Sequence, residues 1–117
     1  MKLNLMKNQS KGIIGGVSFE VTARVQLADE EKKLIQHYKL DNEILFQKKM
    51  VNIWGQPTDN MIDVRVKHLL NGQSYKCKSL DEVISYSESL KNACQTLKAY
   101  IEVAGTFGGE EVIEIGN

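Results

Sequence analysis

The chain has no excess of either charge, no long apolar run and only two cysteines. Each shortage excludes something. Fifteen basic side chains balance fifteen acidic ones, so no global field draws the protein to nucleic acid or to an anionic membrane. No stretch approaches the roughly 18 apolar residues of a membrane span, and Met1–Lys7 lacks the apolar centre of a signal peptide. A cytoplasmic setting without membrane association is therefore expected. Cys77 and Cys94 are then expected to be reduced thiols, and without a CxxC pair they do not suggest zinc. No DxD or HxE arrangement supports another metal, and nothing calls for a cofactor. Gly12-Ile13-Ile14-Gly15-Gly16 lacks phosphate-loop spacing and precedes a strand pattern rather than a helix. No internal repeat, linker or low-complexity tract divides the chain, so residues 1–117 are expected to form a single domain.

What is present is patterning. Residues 17–27 alternate, apolar at odd positions and polar at even ones. Successive strand side chains face opposite ways, so this stretch predicts a strand with one buried face and one wet face. A wet face argues for an antiparallel sheet. Leu3 and Leu5 predict a short strand before a glycine-rich loop over 8–16. Asp29-Glu30-Glu31 predicts the start of a short helix, its acidic side chains complementing the helix dipole. Residues 43–54 predict a strand whose two halves differ in parity, which a bulge near Lys48-Lys49 would reconcile. A turn follows over Gly55–Asn60, then a strand at Ile62–Val66. One helical turn closed by Gly72 comes next, and a short strand around Tyr75 and Cys77.

Ser79-Leu80-Asp81-Glu82 fits a capping box. From Leu80 an apolar stripe of three- and four-residue steps runs through Leu90, Leu97 and Ile101 to Ala104. It continues without a breaker to Gly105. That favours one long helix over a break near Thr96 followed by a hairpin of 97–107 with 110–115. Residues 111–115 predict a final strand in either case. The expected core contains Phe19, Val21, Val25, Leu90, Leu97 and Ile101. The fold class is α+β: an antiparallel sheet of five or six strands packed on a long C-terminal helix and a shorter helix.

The segments Leu27–Glu31, Leu69–Gly72 and Leu97–Val103 resemble parts of small bacterial proteins of unassigned activity, of the kind carried on mobile cassettes or found in environmental sequences. The resemblance implies no named family, activity or site residue.

No coherent catalytic set emerges. Two β-branched side chains in a glycine loop are costly in water unless covered, so Ile13 and Ile14 are candidate interface residues, with Ile113 on the final strand. Neutral net charge removes a barrier to association. The expectation is a non-enzymatic interaction protein acting as a homodimer, with a further protein partner open and a nucleic-acid partner disfavoured. The alternative is a small-ligand binder or modest enzyme with a pocket between sheet and helix, lined by Trp54, His68, Tyr75, Tyr86 and Tyr100. His68, beside an apolar pair, also reads as an ordinary structural histidine.

Overall fold

The computed structural model describes residues 1–11, 16–52, 54–110 and 112–116. In chain order it contains β1 (Lys2–Lys11), β2 (Val17–Gln26), α1 (Asp29–His37), a 3-10 turn (Leu40–Asn42), β3 (Ile44–Val51), β4 (Pro57–Arg65), α2 (Val66–Asn71), β5 (Gln73–Cys77) and α3 (Leu80–Ala104). The α+β class and the antiparallel pairing are as the sequence predicts. A single sheet of five or six strands is not. The described strands form a three-stranded sheet ordered β1-β2-β5 and a separate two-stranded sheet of β3 and β4. The cause lies where β4 ends. Arg65 closes the strand and Val66 opens α2 with no residue between them. The backbone N–H of Arg65 donates to His68 Nδ1 (2.9 Å), and Val66 N–H donates to the Glu43 carbonyl (3.1 Å). The chain thus turns away before β5 begins, and β4 never lies beside it.

The alternation in β2 places Val21, Ala23 and Val25 in the core, with Phe19 half-buried beside them. Across the ladder, Leu3 faces Val25 and Leu5 faces Ala23, while Tyr75 faces Val21 and Cys77 faces Phe19. The outer face is polar: the hydroxyls of Ser10 and Ser18 lie 2.7 Å apart, and those of Thr22 and Ser74 2.9 Å apart. β1 is longer than predicted. It extends to Lys11 because β2 offers a paired partner along its whole length. Gly72 takes φ 85° and ends α2, a conformation that glycine adopts without steric cost.

The long helix forms as its capping signal predicts. Glu82 N–H donates to Ser79 Oγ at 3.2 Å, and the Glu82 carboxylate accepts from Lys78 N–H at 3.0 Å. The return bond thus reaches one residue before the cap rather than the cap itself. Leu90, Leu97 and Ile101 are buried as predicted; Tyr86 and Ala93 join them, and Leu80 is left in water. In β3 the pairing is regular at Lys48 and Lys49, with register shifts between Ile44 and Phe46 and between Lys49 and Val51. The irregularities therefore flank the predicted bulge. The hairpin turn also sits earlier than predicted, because Asn52 organises it. Its Oδ1 accepts from the N–H groups of Trp54 and Gln56, both at 2.9 Å. The predicted final strand is absent: residues 112–116 carry no regular structure, and position 111 lies outside the described residues. Among the described residues, no helix is long and apolar enough to cross a membrane.

Candidate functional site

The five candidate ligand residues do not converge. Trp54 stands at the tip of the β3–β4 turn with 78% of its surface exposed. His68 uses Nδ1 to cap its own helix. That bond uses the Nδ1 lone pair. Its role is structural. Tyr75 and Tyr86 are both buried and stack on each other, ring centroids 5.5 Å apart. Tyr100 lies elsewhere, toward the end of α3. Of the candidate interface residues, Ile13 and Ile14 lie outside the described residues, and Ile113 is exposed in the unpaired segment.

The Tyr75–Tyr86 pair belongs to a cluster that the sequence reading missed. Lys48 points inward from β3, its Nζ 3.9 Å from the centre of the Tyr86 ring and 3.3 Å from Ser85 Oγ. The available signal was parity. Lys48 shares a strand face with Phe46, so a charge stood on the apolar side. The lysine finds a π-face and a hydroxyl there, which offsets its partial burial. Burial pushes the Tyr75 phenol up to about 12, with a smaller contribution from Tyr86. Burial also raises the Tyr86 phenol, reinforced by Glu82 and Cys77. The Cys77 thiol is raised by burial and by Glu82, against an opposing effect of Lys48. Cys94 is raised by burial too, eased by the Met1 amine and Lys98. Both cysteines are unbridged thiols whose surroundings favour the protonated form, the opposite of what a nucleophile needs.

A crevice of about 470 Å³ borders the cluster at the start of α3, lined by Lys48, Gly55, Lys78, Ser79, Asp81, Glu82 and Ser85. Lys48, Lys78, Ser79, Glu82 and Ser85 are engaged within the fold. Lys78 Nζ donates to the Asn52 carbonyl (2.8 Å), and Ser79 and Glu82 cap the helix. Two lysines face two carboxylates, so the crevice has no net charge with which to select an ion. Among the described residues, no group of three or more His, Cys, Asp or Glu side chains could hold a metal.

The opposite end of α3 is different in character. An open groove of about 600 Å³ is lined by Tyr38, Leu40, Tyr100, Val103, Ala104 and Phe107, with Glu43 as its one charged residue. The Tyr38 and Phe107 rings lie 5.3 Å apart across it. Beyond the groove the chain continues into Val112, Ile113 and Ile115, which are 80%, 69% and 90% exposed. These apolar side chains are exposed and near one another along the chain, the composition that interaction surfaces share. No protein-family model, curated protein or solved structure matches this chain.

Proposed function

We propose that the chain is a non-enzymatic interaction protein that works as a homodimer in the cytoplasm. The observation that carries this reading is the exposed apolar segment Val112–Ile115, next in the chain to an open apolar groove. Leaving an isoleucine or valine side chain in water rather than burying it forgoes about 1.5–3 kcal/mol. Equal numbers of acidic and basic side chains leave no net repulsion to oppose association of two copies. The two unbridged thiols suit a reducing compartment.

A second reading is a small apolar ligand in the groove, favoured by its volume and by the Tyr38, Tyr100 and Phe107 rings that line it. Light scattering coupled to gel filtration at micromolar concentration separates the two. The homodimer gives twice the 13.2 kDa chain mass, and a mass of one chain overturns it in favour of the ligand groove.

A further inference from the structure

We infer that residues 112–115 form a strand that pairs antiparallel with β1 of a second copy, so that two chains exchange these segments. The inference rests on the homodimer reading and specifies its interface.

β1 is an edge of the three-stranded sheet, ten residues long, and its outer side has no neighbouring strand among the described residues. Such an edge is a template for another strand. The segment has the composition of one. Val112, Ile113 and Ile115 are β-branched, and Glu114 interrupts them to give an alternating face. Charge matches as well. β1 carries Lys2, Lys7 and Lys11 and no acid, while 110–115 carries three glutamates and no base.

One antiparallel register satisfies both faces at once. It sets Ile115 beside Leu3 and Ile113 beside Leu5, on the face where both leucines already pack against the core. On the opposite face it sets Val112 beside Met6, a side chain otherwise left in water.

The geometry of α3 makes the partner a second copy. The helix starts beside the end of β5, where Cys77 pairs with Phe19 and Phe19 with Gln9. It runs back toward the Met1 end of the sheet for 25 residues, about 37 Å. From Gln9 back to Met1 the strand covers only about 27 Å. The helix therefore overshoots, ending with Gly105 against Leu34 and Phe107 against Tyr38. From Phe107 to residue 110 the chain reaches at most about 11 Å. The chosen register needs residue 110 beside Asn8, well up the strand from Met1. A chain cannot make that approach to its own β1, whereas a two-fold mate presents its β1 in the opposite direction.

A register-specific cross-link tests this. Met6→Cys with Val112→Cys, under mild oxidation, is expected to yield several-fold more disulfide-linked dimer on non-reducing gels than either single variant. Met6→Cys with Ile113→Cys places the second thiol on the other face and is expected to stay at that background. Ile113→Lys is expected to convert the wild-type dimer to the mass of one chain. A disulfide closed within one chain, or equal linkage by both double variants, overturns the exchange. A wild-type dimer that gives no linkage and survives Ile113→Lys overturns the exchange and leaves the homodimer standing. A wild-type protein with the mass of one chain overturns both.

Discussion

Replacing Tyr75 by Phe should stabilise the protein, although Tyr75 belongs to the buried core. The Tyr75 hydroxyl is shut away from solvent and has no hydrogen-bond partner among the described residues. A buried polar group left unpaired costs about 1–3 kcal/mol, because its bonds to water are lost without replacement. Phenylalanine keeps the ring that stacks on Tyr86 and faces Val21, and removes only the oxygen. A small void in its place recovers part of the gain to strain and lost contact, so the expected net effect is about +1 kcal/mol near pH 8.

The pH dependence makes the prediction stricter. The folded protein raises the Tyr75 phenol from 10.0 to about 12, chiefly through burial. A group whose folded pKa is raised contributes its full stability below the unfolded value, and that contribution is lost as pH climbs through the folded value. For Tyr75 the window lies between pH 10 and about 12. Across it the wild type should lose on the order of 2 kcal/mol that the Phe variant keeps, so the gap between the two widens. The other side chains are common to both proteins and largely cancel in the difference. Urea melts followed by far-ultraviolet circular dichroism at pH 8, 10 and 12 would measure it. A variant less stable than wild type at pH 8 would show that the hydroxyl is satisfied. A gap that stays constant with pH would show that the phenol is not buried in the folded state.

Three further substitutions test the framework that positions the interface. Ser79→Ala removes the acceptor for Glu82 N–H at the start of α3 and should cost about 0.5–2 kcal/mol in urea melts; no change would mean that the Lys78–Glu82 bond alone holds that helix end. Val21→Asp buries a charge with no partner and should abolish cooperative unfolding, while Thr22→Asp, on the outer face and still able to accept from Ser74, should be tolerated. Similar losses in both would break the assignment of inner and outer faces.

The sequence by itself determined the elements whose signals are local. The two-residue period over 17–27 is a property of a single strand, and it placed Val21, Ala23 and Val25 on one face whatever that face would meet. The Ser79–Glu82 cap, the continuous stripe and Gly105 likewise delimited α3, because helical hydrogen bonds close within four residues. A structural alternative for His68 was visible in the apolar pair beside it, although the hydrogen bond that caps α2 was not.

Which strands share a sheet is not local. Residues 62–66 and 73–77 both alternate, but α2 redirects the chain between them, and only the folded arrangement keeps β4 from joining β5. Lys48 looked like an interruption in β3 until Tyr86 and Ser85, brought by a helix far along the chain, supplied a π-face and a hydroxyl for its ammonium group. Tyr75, Tyr86 and Tyr100 were equal candidates as aromatic side chains. Packing stacked the first two inside and left the third on an open groove. Residues 112–115 show why alternation alone does not make a strand. A strand's hydrogen bonds are made to another strand, and among the described residues none pairs with this segment.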